Sequence, residues 1–292
     1  MATAAVKQRK LSPYAGKCIV LTTKHAKSIA IAPPFEEILG AGVLEHVVNT
    51  DELGTFSGEI ERKGTALECA QKKCEWSIKS AKVDYALSSE GSFGTHPFIP
   101  FIPSNREIIY FIDKKRKFHL HVTDLYTETN YQMGEFSSVE EVKAMAKKAL
   151  FPSHALIIRT AMGYSDGPVF KGVMNEADLE AAVQECLETS HEHKIWVETD
   201  MRAHVNPTRM EMIGRLAKTL AERLNCLCPS CYTPGWGRVD IEGGLPCGWC
   251  GTPTDEIKAE IYGCAKCRHK ETKSPPHGKD AAEPSCCPIC NP

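Results

Sequence analysis

Eight cysteines near the end of the chain carry the clearest chemistry in this sequence. They fall in four Cys-x-x-Cys pairs: Cys228/Cys231, Cys247/Cys250, Cys264/Cys267 and Cys287/Cys290. Two residues between cysteines let both sulfurs turn towards one ion about 2.3 Å away, and two such knuckles complete the tetrahedron that zinc prefers. Four knuckles therefore predict two structural zinc ions. The first two pairs read C-x2-C-x15-C-x2-C and the last two C-x2-C-x19-C-x2-C, spacings that fit zinc ribbons. Pairing of sequence neighbours is the simplest arrangement, and interleaving first with third and second with fourth is the alternative. Disulfides are the rival use of the sulfurs, but they belong to oxidising compartments, and no apolar signal segment stands before the first expected strand.

Iron is the sharper rival to zinc. Cys247-Gly-Trp-Cys250-Gly resembles a rubredoxin knuckle, and a tetrahedral four-sulfur site accepts either metal. Cys226 and Cys286 are left over, each beside a knuckle. A zinc ion held by four thiolates carries a formal charge of about −2. The segment after residue 225 already holds seven Lys/Arg against eight Asp/Glu, so such a ribbon is a poor phosphate binder and nucleic acid is not an expected partner.

Three further stretches put ionisable side chains where strands should meet loops. The apolar run over residues 17–23 (KCIVLTT) ends in Lys24, His25 and Lys27. A run over residues 84–89 leads into Glu90, Ser92 and His96, with Gly91 and Gly94 between them. Glycine there would let the backbone approach a ligand closely; a tight turn with a solvated Glu90 is the bland alternative. The third stretch, residues 198–209, holds Asp200, Arg202, His204 and Arg209 at the start of a helix, which suits an anion or a metal–phosphate group. Its alternative is an internal ion-pair network with Asn206 as a plain cap. Between the first two lies a loop with Asp51, Glu52 and Glu59, followed by Arg62. Hydrolysis of a phosphoanhydride needs cations against the phosphates, carboxylate-bound magnesium and a positioned water. Lys24, Lys27, Arg62 and Arg202 supply the positive charge, and Asp51, Glu59, Glu90 and Asp200 the carboxylates.

The elements that must position these groups are expected in an α/β body over residues 17–225. Its architecture is three layers around a mixed, largely parallel sheet, preceded by a flexible N-terminus (1–16) and followed by a tandem zinc-ribbon module (226–292). Pro33-Pro34 opens a helix. Thr65-x-x-Glu68 and Ser138-x-x-Glu141 are capping boxes, Asn175 caps a helix to about Glu188, and Asn206-Pro207 starts a long one to about Leu224. Leu67, Ala70, Cys74, Ile78 and Ala81 step along one helical face, so Cys69 and Cys74 pack as small hydrophobes. Strands are expected over residues 44–48, 107–113, 117–123, 154–159 and 194–199. His119 and His121 share one sheet face and read as surface histidines. From 154 to 224, strand and helix alternate, which implies parallel pairing.

At 292 residues, 42% apolar and 25% charged, the chain can bury a sizeable core. Its net charge of −2 argues against a general nucleic-acid or membrane-surface role. No run approaches 18 apolar residues, so no spanning segment is expected. The first 35 residues hold six Lys/Arg and no Asp or Glu, faintly like a transit peptide, but the strand beginning by Lys17 leaves little room for one. The cytosol is the expected location.

The combination of GTFSGE, SEGSFG followed by His-Pro, TDMRAH with NPTRM, and a terminal ribbon ending Cys-Asn-Pro resembles an uncharacterised, mainly bacterial family known only as a domain of unknown function. That likeness covers nearly all of the chain after residue 16 and implies no activity. Residues 17–95 also resemble the inosine and xanthosine triphosphate pyrophosphatases, through TTKHAK, FEEILG, the loop with Gly58-Glu59, and VDYALSSEG. In those enzymes a Thr-x-Asn-x-x-Lys loop grips the triphosphate and acidic residues at the end of a later strand hold magnesium. The resemblance thus implies phosphate contacts for Thr23 and Lys27 and magnesium ligation for Glu90 and Glu59. Lys24 stands where that family has asparagine, Pro33-Pro34 interrupts its helix, and zinc ribbons are foreign to it.

Three readings follow. One is a magnesium-dependent hydrolase of a nucleotide or other small phosphorylated molecule, with the ribbons as a cover or a homo-oligomer contact. Another is a non-catalytic assembly protein whose ribbons present a surface to a protein partner. The third is rubredoxin-like electron transfer.

Overall fold

In the computed structural model, which describes residues 11–48, 64–163, 167–275 and 277–292, the first apolar run becomes the interior of a sheet. Strand β1 (Cys18–Thr22) lies between β2 (Gly42–His46) and β3 (Tyr85–Thr95) and runs parallel to both. Strand β4 (Pro103–Asp113) pairs antiparallel with β3 over their full length, and β5 (Phe118–Tyr126) follows at the edge. The order β2-β1-β3-β4-β5 is a mixed sheet, parallel through β2, β1 and β3.

Helix α1 (Ser28–Leu39) starts earlier than the prolines suggest and carries Pro33 and Pro34 inside it. Burial of Ile31, Phe35 and Leu39, one turn apart, holds it in place despite the two backbone hydrogen bonds that proline removes. Gly40 closes it in the left-handed region at φ 64°, and its N–H reaches the Phe35 and Glu36 carbonyls. Helix α2 (Ala66–Ser80) has the expected capping box, with Thr65 and Glu68 each serving the other's backbone. Its Ala70 and Cys74 join Ala86, Ile108 and Tyr110 in a core cluster, so Cys74 is a packing residue.

A second sheet holds β6 (Met133–Phe136), β7 (Leu156–Arg159), β8 (Val169–Val173) and β9 (Ile195–Thr199) in the order β6-β9-β7-β8. Every pairing in it is antiparallel, which corrects the parallel arrangement expected from the alternation of strand and helix. The reason is β8, whose sequence VFKGV hides a strand behind a lysine and a glycine. It forms a hairpin with β7, so α4 (Glu176–Thr189) links β8 to β9, which share a direction with β7 between them. Helix α3 (Val139–Lys148) and α4 cover this sheet through Val142, Met145, Leu179, Val183 and Cys186 against Leu156, Ile158 and Val197. Helix α5 (Pro207–Asn225) buries Met212, Ile213, Leu216, Ala217, Leu220, Ala221 and Leu224, the stripe that its sequence spacing requires.

The chain divides into two compact units. One runs to Lys115 and resumes over His121–Ala221; the other joins Arg116–Leu120 to Glu222–Pro292. The second contains an antiparallel sheet of β10 (Gly237–Gly243), β11 (Ile257–Gly263) and β12 (Lys270–Lys273). Among the described residues no helix is long and apolar enough to cross a membrane.

Candidate functional site

The eight knuckle cysteines form two clusters, and the pairing is the interleaved one. Cys228 and Cys231 face Cys264 and Cys267, while Cys247 and Cys250 face Cys287 and Cys290. Sγ–Sγ distances across the knuckles are 3.7 and 3.6 Å in the first cluster and 3.8 and 3.6 Å in the second. An ion about 2.3 Å from four sulfurs at tetrahedral corners sets them about 3.8 Å apart, so the donors present fit such an ion. No disulfide joins any of them.

Local backbone explains why the pairs face one metal. The residue after the second cysteine is left-handed in three knuckles: Tyr232 at φ 57°, Gly251 at 70° and Arg268 at 61°. That turn lets the N–H groups of Cys228, Cys247 and Cys264 reach the carbonyls of Thr233, Thr252 and His269 at 2.9, 2.8 and 3.0 Å. The first two knuckles share a further device. Thr233 Oγ1 lies 3.2 Å from Cys231 Sγ, and Thr252 Oγ1 lies 3.2 Å from Cys250 Sγ. Those hydroxyls pull Cys231 and Cys250 down to about 6, while burial pushes Cys264, and the hydrogen bond with Cys250 pushes Cys290, up to about 12, so each cluster favours a thiolate at one sulfur. Backbone N–H groups of Lys266 and Cys267 point at Cys264 Sγ, and that of Trp249 at Cys247 Sγ. Cys226 and Cys286 stay outside both clusters and exposed.

A different polar cluster gathers in the first unit, where β1 and β9 end, the middle of β3 passes and α5 begins. Lys27 follows β1 and is buried; its ammonium donates to the Ser89 carbonyl oxygen at 2.9 Å and approaches Ser89 Oγ at 3.4 Å. Burial first, and then the Arg209 guanidinium, pull its pKa down to about 7 against the opposing pull of Glu107 and Glu90. His25 stacks on His204 with ring centroids 4.9 Å apart. Burial, with Lys27, His204 and the two arginines around it, drives His25 down to about 3, and burial with Arg202 lowers His204 as well. Both shifts favour the neutral ring.

The carboxylates of the cluster are each taken by a cation. Glu90, near the middle of β3, pairs with Lys73 on α2. Buried Asp200 holds Arg202 through Nε at 2.9 and 3.0 Å and Nη2 at 2.5 Å. Glu107 on β4 meets Arg209 Nε at 2.7 Å, and Arg209 Nη1 donates to the Met201 carbonyl at 2.5 Å. Asn206 caps α5 by accepting the Arg209 backbone N–H at 2.9 Å, and its amide donates to Asn130 Oδ1 at 2.9 Å. The ion-pair network with Asn206 as cap is thus present. It leaves Lys27 as the buried cation with no carboxylate at ion-pair distance among the described residues. A buried amine beside the His25 imidazole, just past the carboxyl end of β1, is complementary to an anion.

The other expected site residues fall as follows. Thr23 is buried, its hydroxyl accepting the His25 N–H at 3.2 Å, and Lys24 is exposed beside it. Ser92 is half-buried on β3 opposite Arg106. His96 does not join the cluster. The residues expected to form a turn continue β3 to Thr95, because β4 pairs with them residue by residue, and about 17 Å of strand separates Glu90 from Thr95. Asp51, Glu52, Glu59 and Arg62 lie outside the described residues. The sequence reading missed Lys73 and Glu107. Glu107 had a signal: it shares the β4 face of Ile109 and Phe111, an apolar stripe in which a carboxylate demands a buried partner. Gly91 is the glycine this arrangement requires, since a Cβ there would collide with Arg209 Nη2 and lie 2.6 Å from Glu107 Oε1.

Magnesium finds no ready set here. Among the described residues the only groups of three or more metal-binding side chains are the two cysteine clusters, and Glu90, Glu107 and Asp200 are spent on cations.

The chain belongs to the family described as a domain of unknown function (DUF6671), whose model matches residues 73–292. No curated protein matches it.

Proposed function

We propose that this protein binds a small phosphorylated molecule at the cluster around Lys27 and hydrolyses it, a nucleotide being the leading substrate class, in the cytosol. One observation carries the reading: the buried Lys27 ammonium donates to the Ser89 carbonyl just past the end of β1, with His25 beside it and His204 stacked on His25, and no carboxylate lies at ion-pair distance from it among the described residues. An anionic oxygen would supply the missing charge. Thr23 and Lys24 follow β1 directly and Ser92 lies three residues beyond Ser89 on β3; they would add contacts to the phosphates or to the rest of the ligand. His204 is less buried than His25 and its lowered pKa favours the neutral ring, so it is the group suited to take a proton from an attacking water. Magnesium commonly arrives with substrate phosphates and keeps several waters, so a complete protein cage is not a precondition.

The test is turnover of a nucleoside triphosphate panel, with and without magnesium, by wild type and by Lys27→Met and His204→Ala. Release of phosphate or pyrophosphate by wild type, lost in Lys27→Met, supports the reading. No turnover and no phosphate-dependent stabilisation removes it.

A second reading is favoured by one observation in the other unit. Trp249 and Ile289, the third residues of the two knuckles that share a cluster, are 80% and 67% exposed. Ser230 and Lys266 occupy the same places in the first cluster. An apolar knuckle pair is suited to a protein partner, as an assembly role requires. Retention of a partner from lysate by wild type but not by Trp249→Ser would support that role.

A further inference from the structure

At the far end of β3 from Glu90, the turn into β4 presents Phe98, Ile99, Phe101 and Ile102, which are 87%, 46%, 93% and 36% exposed. Four apolar side chains within five residues form a patch, not scattered single exposures. The backbone beneath them is closed on itself. The His96 N–H donates to the Ile102 carbonyl at 2.8 Å and the Ile102 N–H to the Ile99 carbonyl at 3.1 Å. The N–H groups of Phe98 and Ile99 both donate to His96 Nδ1, at 3.3 and 3.2 Å. Pro97, Pro100 and Pro103 have no N–H to satisfy. The backbone donors of His96, Phe98, Ile99 and Ile102 are thus satisfied, which lowers the cost of taking the tip out of water. From Gly91 to Asn105 the sequence has no Asp, Glu, Lys or Arg.

We propose that this tip is a self-complementary contact through which two copies of the chain associate about a twofold axis. The absence of charge lets identical surfaces meet without repulsion, and an aromatic, charge-depleted patch is the composition of an interface core. The area suffices. Two phenyl rings at these exposures offer roughly 350 Å², and the isoleucines bring the tip to about 500 Å² per copy. Complete mutual coverage of the two tips then buries about 1,000 Å², the lower bound for a specific interface, so the contact is a modest one.

Light scattering on the zinc-loaded full chain, across about 1 to 100 μM, tests this. Wild type should move towards twice the chain mass, and Phe98→Ser/Phe101→Ser should stay monomeric throughout with unchanged metal content and circular dichroism. Because that variant alone does not show tip meeting tip, Phe101→Glu and Phe101→Lys should each be monomeric and should form a mixed dimer when combined. A wild type that stays monomeric, a double variant that still dimerises, or a monomeric wild type that pellets with phosphatidylcholine/phosphatidylserine vesicles overturns the proposal.

Discussion

Arg209 and Glu107 stand 102 residues apart in the chain and meet with both side chains wholly out of solvent, Nε 2.7 Å from Oε1. The pair ties the first turn of α5 to β4, so it links the two halves of the first unit. Removing one member would strand a buried charge, which costs about 3–5 kcal/mol. Glu107→Gln and Arg209→Met should each lose about that much in urea unfolding, and the double replacement by Met should recover a large share of it.

Gly91 should tolerate nothing larger. Gly91→Ala drives a Cβ into that ion pair, so a loss of about 1–3 kcal/mol is expected from overpacking. Gly94→Ala, where a Cβ meets nothing within 4 Å, is the control and should unfold close to wild type.

The cluster around Lys27 predicts a defined pH dependence. His25 and Lys27 both have folded pKa values depressed by burial, to about 3 and about 7. In each case the unfolded chain binds more protons between the folded and ordinary values, so stability rises with pH through that window. For His25 the contribution is present above pH 6.5 and is lost as pH falls through 3. For Lys27 it grows from pH 7 to 10.5. Lys27→Met should therefore be more stable than wild type at pH 6, with an advantage that shrinks towards pH 10. Binding of a phosphate anion should raise the Lys27 pKa, take up protons near pH 7 and weaken above it. Calorimetry in buffers of different ionisation enthalpy reads that uptake directly.

Metal removal is the fourth test. Structural zinc supplies roughly 10–16 kcal/mol of apparent binding energy, as much as a whole domain's net stability. Chelation should unfold the cysteine-rich unit. The native protein should be colourless with about two zinc ions per chain. Cys264→Ser should lose the ion it shares with Cys228, Cys231 and Cys267, while the Cys247, Cys250, Cys287 and Cys290 set keeps its own. Strong visible absorption would instead favour iron and the electron-transfer reading.

Local chemistry made much of this fold legible. Thr65 and Glu68, Ser138, Asn175 and Asn206-Pro207 mark helix starts because capping is decided within four residues. The cysteine knuckles declare metal for the same reason. What the sequence withheld was long-range. Partners for Lys27, Asp200 and Arg209 depend on which strands lie side by side, and β6 and β8 are too short and too polar to announce themselves. Knuckle pairing was equally hidden, since spacing alone suits either arrangement.

The crossed connection of the knuckles bears on how the tail is made. Each cluster takes one knuckle from before residue 251 and one from after residue 263, so neither can close until the later half of the tail is present. A chain that stops after Cys250 holds half of each set and completes neither site.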